Sequence, residues 1–534
     1  MRPDLIFKNG KIVTVDKQFS ICEAVAIKKN WIMAVGSNVE ICKLRVAGTK
    51  EVDLKGKTVI PGLIDTHVHL TSAAPQFTLP SLEKATCIAD VAKVIKKEAK
   101  KARPGEWIVT RPATVTQLST DLKEKRFPNR RDLDSAAPNN PVYVGSGPMG
   151  IVNTYALNLL GITKDTPQPE GGEIKKDPST GEPIGILEGA SAMEIATKHI
   201  PAPTRKHKKA SIVELCRRFN SWGVTTVVNV SAYLDDFVLL QELRLEDKPP
   251  LRIVLFHAMD YPETMSLEED LAIIRNLSAF ASYRGFGDDT LKISGIGEII
   301  FNGIMPKEKL KQISLEAAKR HLRVGVHAHH PQGGKALEDL LDIWAEVNND
   351  VPLADRQFFV VHGSFSDKNS YKKVKKLRLA VSCQPVFLYT MYDLFKAIDP
   401  FRTPMPIRDW LDNGIPISFG TDYPFSGGYE YPTGGNPMSC IYNAVTRKII
   451  TGDVHDPDQR ITREEALRCY TINGAYAIFE EKTRGSIEPG KLADLVVLDK
   501  DILTCPEEEI RKIKVLMTMC GGKIVYGIGG WLFR

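Results

Sequence analysis

The chain lacks any run of about 18 consecutive apolar residues, so no membrane-spanning helix is expected. Its nine cysteines are odd in number, scattered from Cys22 to Cys520, and never form a C-x-x-C pair. That pattern excludes a disulfide framework and points to a reducing compartment. No charge of one sign dominates: 71 Lys and Arg stand against 65 Asp and Glu, a net +6 spread over 534 residues. An excess so dilute argues against nucleic-acid and membrane partners, and the densest basic run, Arg205–Lys209, reads as the solvated start of a helix. Signal-peptide character is missing, since Met1-Arg2-Pro3-Asp4 leads into alternating residues; a cytoplasmic location is the expectation. There is no low-complexity tract and no short internal repeat. The Gly-rich stretches Ser426–Tyr431 and Thr433–Asn436 are followed by no G-K-[ST], which excludes a phosphate-binding loop.

What is present is an ordinary globular composition, 43% hydrophobic and 25% charged. The length exceeds what one hydrophobic core supports, so two or more domains are expected. Both ends are β-rich. Leu5–Val15 carries an Asn9-Gly10 pair between two apolar runs, a strong hairpin signal. Ala24–Ile27 and Trp31–Val35 flank a second turn at Lys28-Lys29-Asn30. Near the other end, Ala493–Leu498, Lys514–Met519 and Lys523–Tyr526 read as strands. Residues 1–60 and 481–534 are therefore expected to meet in one small β-sandwich domain.

Between them, helix and strand alternate. Ile212, Leu215, Cys216, Phe219 and Trp222 mark a helix face, and Val224–Val230 a buried-type strand. Leu337, Leu340, Leu341 and Trp344 mark another helix, followed by the strand Phe358–Val361. Ile415–Thr421 reads as a further strand. Repetition of this unit over residues 61–480 predicts an α/β fold, a (β/α)8 TIM barrel. Residues of about 75–195 are rich in Pro and Gly and break the rhythm; they read as a large α/β insertion after the first barrel strand.

The chemistry is concentrated at strand ends. His67 and His69, two residues apart in Val59–Leu70, present both imidazoles to one side of an extended strand. H-x-H alone is a weak signal. However, His327 ends the strand-like Leu322–Val326, His362 ends Phe358–Val361, and Asp422 follows Ile415–Thr421. Lys292 sits in the strand-like Thr290–Gly295. Lys292, His327, His362 and Asp422 are spaced 35, 35 and 60 residues apart, about one, one and two β/α units. Core histidines have no reason to recur in phase with strands, whereas active sites of barrels sit at the C-terminal strand ends.

Pro61–His69 and Gly485–Leu498 resemble the first-strand motif and the C-terminal β-domain signature of the amidohydrolase superfamily, and the likeness extends over nearly the whole chain. Phe127–Asp134, Pro141-Val142-Tyr143, Val152–Leu157 and Gly185–Glu188 are similar to its YtcJ-like branch, which includes an N-substituted formamide deformylase. The resemblance implies two divalent ions, zinc first and Mn, Fe or Ni as alternatives. His67, His69 and Asp422 would bind one, and His327 and His362 the other. Lys292, carboxylated on Nζ, would bridge them as N6-carboxylysine. It further implies hydrolysis of an amide, N-formyl or cyclic amide bond by metal-activated hydroxide, with Asp422 as proton shuttle.

The sequence departs from the branch at His327-Ala328-His329-His330 and at Gly147–Gly150, both in the expected substrate pocket. His329 lies on the same strand face as His327 and is open to reading as a ligand, a substrate contact or neither. Trp107, Arg111 and Glu188, all in the insertion, are further substrate-pocket candidates, with packing or helix capping as their alternatives. The expected partner is a small molecule, and a homodimer is the expected assembly. Two rivals stay open here: a deaminase or decarboxylase on the same barrel, and a non-catalytic binding homologue.

Overall fold

The computed structural model describes residues 2–528 apart from 114–116, 147–148, 249, 260–265, 302–304, 329–332 and 426–433. The chain divides into two compact units, one containing Met1–Thr71, Leu215–Ser426 and Tyr431–Arg534, the other built from Ser72–Glu214.

The first unit holds eight parallel strands that pair in chain order: β1 (Leu63–Val68), β2 (Val224–Ala232), β3 (Arg252–His257), β4 (Leu291–Ile300), β5 (Arg323–His327), β6 (Phe359–Val361), β7 (Ala380–Cys383) and β8 (Ser418–Phe419). Their residues are mostly buried, as strands of a parallel sheet covered on both faces must be. The ring closes where β8 returns to β1. Asp422 N donates to His67 O at 2.8 Å, His69 N donates to Tyr423 O at 2.9 Å, and Val68 bridges Tyr423 in parallel. This is a (β/α)8 barrel. Helices Lys307–Lys319, Gly334–Asp350 and Lys368–Leu377 follow β4, β5 and β6. In Gly334–Asp350 the periodic Leu337, Leu340, Leu341 and Trp344 are all buried. Among the described residues, no helix is long and apolar enough to cross a membrane.

Both ends of the chain pair in the same unit. Thr58–Pro61 lies antiparallel to Leu495–Leu498 within a six-stranded sheet. A four-stranded sheet holds Leu5–Lys8, Ala24–Lys28, Trp31–Gly36 and Lys50–Asp53. Phe7, Ile12, Val25, Val59, Leu495, Val497 and Met517 fill the space between them. The Asn9-Gly10 hairpin expected from the sequence does not form. Leu5–Lys8 pairs with Ala24–Lys28 and Lys50–Asp53, whereas Lys11–Val13 pairs with Ile21–Cys22 and Thr58–Pro61 in the other sheet. Asn9, at φ 56°, turns the chain across from one sheet to the other. The same local signal that makes a tight turn also serves a sheet-to-sheet corner, and the hydrophobic pairing decides between them.

The second unit has its own five-stranded sheet, in the order Glu173–Lys176, Pro183–Glu188, Met149–Val152, Val142–Ser146 and Ile108–Val109. Helices Ile88–Ala99 and Arg130–Asp134 contribute Val91, Ile95 and Leu133 to its buried cluster.

Candidate metal centre

Six strand ends of the barrel converge. His67 lies in β1 and His69 just beyond it, Glu298 is in β4, His327 is the last residue of β5, and His362 follows β6. Gln384 follows β7, and Asp422 lies three residues past β8. Two of these positions are held in unusual backbone conformations, His362 at φ 75° and Asp422 at φ 52°. Such angles persist where the surroundings over-determine them, and they gather at functional sites. The approach of β8 to β1 demands Gly420: a Cβ there would stand 2.6 Å from His67 Cβ and 2.7 Å from its backbone N. Asp65 ties the same seam, accepting from Thr421 N at 2.9 Å and Thr421 Oγ1 at 2.6 Å. Burial pushes its carboxyl up to about 7 against these hydrogen bonds.

Asp422 Oδ1 lies 3.1 Å from both His67 Nε2 and His69 Nε2. Glu298 spans the cluster. Its Oε2 is 3.7 Å from His67 Nε2 and 3.6 Å from His69 Nε2, while its Oε1 is 2.8 Å from His327 Nδ1 and 3.3 Å from His362 Nε2. Two trios result, His67/His69/Asp422 and His67/Glu298/His362, each with its donor atoms within 4.8 Å of one another. His67 is wholly buried, and the Glu298 and Asp422 side chains are 7% and 8% exposed.

The electrostatics follow from this crowding. Burial opposes charge on His67, but Asp422 and Glu298 outweigh it and push the imidazole up to about 9. Burial, reinforced by the neighbouring His327, pushes His362 down to about 4. Burial also opposes ionisation of Glu298 and Asp422, yet the histidines around them hold both carboxylates below the usual range.

The donor set suits a divalent cation. Both ring nitrogens of His67 and Oδ1 of Asp422 are buried and make no hydrogen bond, although His67 Nε2 and Asp422 Oδ1 are 3.1 Å apart. Buried lone pairs left without a donor cost about 1–3 kcal/mol each. A cation where they converge removes that cost, and imidazole nitrogens with carboxylate oxygens are ligands for zinc and its first-row neighbours.

Of the residues singled out from the sequence, His67, His69, His327, His362 and Asp422 are brought together. Lys292 is not. It lies at the start of β4, six residues before Glu298 and so about 20 Å along an extended strand. There its Nζ pairs with Glu480 Oε1 at 2.7 Å. A lysine at the N-terminal end of a barrel strand has no access to chemistry at the other end. The place between the two histidine pairs expected of Lys292 is taken by the carboxylate of Glu298, which the sequence reading missed. The signal was present: β4 runs on through Gly295-Ile296-Gly297 to Ile300, and Glu298 is the lone carboxylate in that apolar strand.

The remaining candidates have partners within the second unit. Trp107 packs on the cluster of Val152, Leu157 and Ile174. The Arg111 guanidinium sits 4.9 Å over the Phe77 ring and hydrogen-bonds Phe77 O. Glu188 pairs with Lys175 at 2.7 Å. His329 lies outside the described residues. In the first unit Phe425, marked by no sequence signal, meets His69 edge-on at 4.8 Å and is 61% exposed.

Residues 50–526 match the amidohydrolase family. The chain is 27% identical to N-substituted formamide deformylase of Arthrobacter pascens, over 98% of each protein. It is 24% identical to YtcJ of Bacillus subtilis (strain 168), over 98% of this chain and 99% of that one. Among solved structures, an uncharacterized metal-dependent hydrolase from Pyrococcus horikoshii superposes with a TM-score of 0.71 at 21% identity, covering 94% of this chain and 99% of that one.

Proposed function

The chain belongs to the amidohydrolase family, a hydrolase of carbon–nitrogen bonds by that membership, and from there we propose that it cleaves an amide, N-formyl or cyclic amide bond of a small molecule at a two-ion centre. One observation carries the reading: Glu298 directs one oxygen toward His67 and His69 and the other toward His327 and His362. A carboxylate shared between two histidine pairs suits two ions better than one. Zinc is the first choice for four imidazoles and two carboxylates.

When bound, such ions supply Lewis acidity and a water acidic enough to react near neutral pH. The protein's own groups do the rest. His67, His69, His327 and His362 offer lone pairs and, once neutral, add no charge. Asp422, buried at the seam of β8 and β1, accepts the proton of the attacking water. It returns that proton to the nitrogen as the C–O bond forms and the C–N bond breaks. The deformylase relative supports an N-formyl or N-acyl amine as substrate. Phe425, exposed beside His69, offers a surface for an apolar substituent on that amine.

The test is a substrate panel of N-formyl amines, N-acyl amino acids and cyclic imides, run with the zinc-loaded protein, together with metal content per chain. Turnover of at least one class with two ions bound is expected. A well-folded, zinc-loaded protein inert toward every class would refute the reading.

A further inference from the structure

Gln384, directly after β7, is fully buried, and its Oε1 lies 2.7 Å from Nδ1 of His362, itself 1% exposed. A glutamine can present either end of its amide to an imidazole. If the carbonyl faces the ring, Nδ1 must carry the proton and Nε2 is left bare; if the amine faces it, the ring is forced into the other tautomer. The surroundings decide which end is presented.

Gln384 Nε2 donates to Ser382 Oγ at 3.0 Å. Ser382 Oγ lies 2.9 Å from Thr66 Oγ1. Thr66 in turn donates to the carbonyl of Phe419 at 3.0 Å and faces Ser418 Oγ at 3.0 Å, and Ser418 donates to the carbonyl of Val381 at 3.2 Å. Backbone carbonyls accept and never donate, so they fix the direction of the whole chain. Ser418 spends its proton on the Val381 carbonyl, and Thr66 directs its own at the Phe419 carbonyl and Ser418 Oγ. Ser382 therefore donates to Thr66, and Ser382 Oγ is left to accept from the Gln384 amine. The Gln384 carbonyl has then one remaining role, to accept from His362 Nδ1. Nε2, the bare nitrogen, faces into the histidine cluster, 2.8 Å from His327 Nδ1 and 3.3 Å from Glu298 Oε1.

We propose that Gln384 is a positioning residue that selects the Nδ1-protonated tautomer of His362, and that this selection sets how tightly the ion nearest His327 and His362 is held. The inference rests on the two-ion reading above. Outer hydrogen-bond partners of metal-bound imidazoles fix the tautomer and typically govern 10–100-fold in metal affinity. Glutamine, being neutral, does this without adding a third carboxylate to Glu298 and Asp422. His67 has no such partner, because both its ring nitrogens are without hydrogen bonds. The two ions should therefore respond differently to loss of Gln384.

The experiment is stepwise titration of the metal-free protein with zinc in chelator-buffered solution, for the wild type, Gln384→Leu, Gln384→Glu and Ser382→Ala, with melting curves for each. In Gln384→Leu, one binding step is expected to weaken about 10–100-fold while the other stays within about threefold. Gln384→Glu, which still accepts from Nδ1–H, is expected to restore the weakened step. A purely structural role would weaken both steps together and would not be rescued by glutamate. Should Gln384→Leu fail to fold, Ser382→Ala and Gln384→Glu carry the test, with a selective loss in the first and near-normal binding in the second. A wild type that takes two ions, with a Gln384→Leu titration identical to it, overturns this inference alone. So does a Gln384→Glu protein that binds as weakly as Gln384→Leu. A wild type that takes fewer than two ions overturns the two-ion reading as well.

Discussion

Lys292 and Glu298 stand near opposite ends of one ten-residue strand, Leu291–Ile300, and only the glutamate reaches the histidines. The lysine instead closes an ion pair with Glu480 at the other end of the barrel. The two side chains should therefore separate cleanly in mutagenesis.

Glu298→Gln is expected to lose more than about 100-fold in metal affinity, beyond the 10–100-fold typical of an outer hydrogen-bond partner, and turnover should fall with it. Lys292→Met is expected to keep full metal content and near-normal turnover. Elemental analysis of both proteins after identical zinc loading decides the matter. Addition of bicarbonate should change neither, since no carbamate is required. A Lys292→Met protein that loses its metal would return the bridging role to the lysine.

Lys292 should matter to stability instead. The pair is mostly buried, with side chains 11% and 16% exposed, and Thr483 also donates to Glu480 at 2.7 Å. Lys292→Met should cost somewhat less than the roughly 3–5 kcal/mol of breaking a fully buried pair. The pH dependence has a definite sign. Burial raises the Glu480 carboxyl, but Arg484 and Lys292 hold it below its ordinary value. Its contribution is thus fully present above the unfolded carboxylate range of about 4.3 and is lost as pH falls through the folded value. Urea midpoints from pH 7 down to 3 should show the gap between wild type and Lys292→Met narrowing toward acid.

Asp422→Asn keeps an oxygen near His67 and His69 but removes the proton acceptor. Turnover should fall about 10²–10⁴-fold, the usual range for a positioned acid–base group. Metal content should stay well above that of Glu298→Gln. Steady-state kinetics beside metal analysis tests this. A fall in turnover fully explained by lost metal would remove the shuttle role.

These outcomes bear on what the sequence discloses. His327, His362 and Asp422 were legible because they recur in phase with the β/α repeat, and a repeat period survives without coordinates. Glu298 was not, because Gly295 and Gly297 made the strand seem to stop early, so the wrong member of β4 fell in phase. Asn9-Gly10 carried a correct local signal, a reversal at positive φ, but whether it joins paired strands or two sheets depends on partners such as Ala24–Lys28 and Thr58–Pro61. Likewise the apolar run Ile415–Thr421 yields only Ser418–Phe419 as strand, since the chain there bends to bring Asp422 against His67.

The Gly420 position offers a test of that bend. Its missing Cβ is what lets β8 lie against the backbone of His67. Gly420→Ala forces a methyl group into backbone atoms rather than into a flexible side-chain tip, so the seam must open. Overpacking of this kind costs about 1–3 kcal/mol, visible in thermal melts. Because Asp422 N and His67 O are hydrogen-bonded across the same seam, zinc affinity should drop together with stability. An alanine variant with an unchanged melting temperature and unchanged zinc binding would show that the seam is looser than these contacts imply.

Arg252 and Asp494 link β3 to the terminal β-sheets through two parallel hydrogen bonds, Nε to Oδ2 at 2.9 Å and Nη2 to Oδ1 at 3.0 Å, with both side chains about 5% exposed or less. Asp494 also accepts from Gly521 N at 2.6 Å, and Arg252 reaches Asp289. Arg252→Met strands the Asp494 carboxylate in a dry seam and should cost about 3–5 kcal/mol, whereas Asp494→Leu leaves Arg252 its pairing with Asp289 and should cost less. The double variant removes both charges and should recover much of that loss, because an apolar pair of similar volume is often no worse than a buried ion pair. Denaturant midpoints for the two singles and the double form the necessary cycle. Additive losses would mean the two side chains act separately, and the seam would then be held by the strand pairing of Thr58–Pro61 with Leu495–Leu498 rather than by this ion pair. Zinc content should stay full in all three, since the pair lies at the start of β3 while the ligands gather at the other end of the strands.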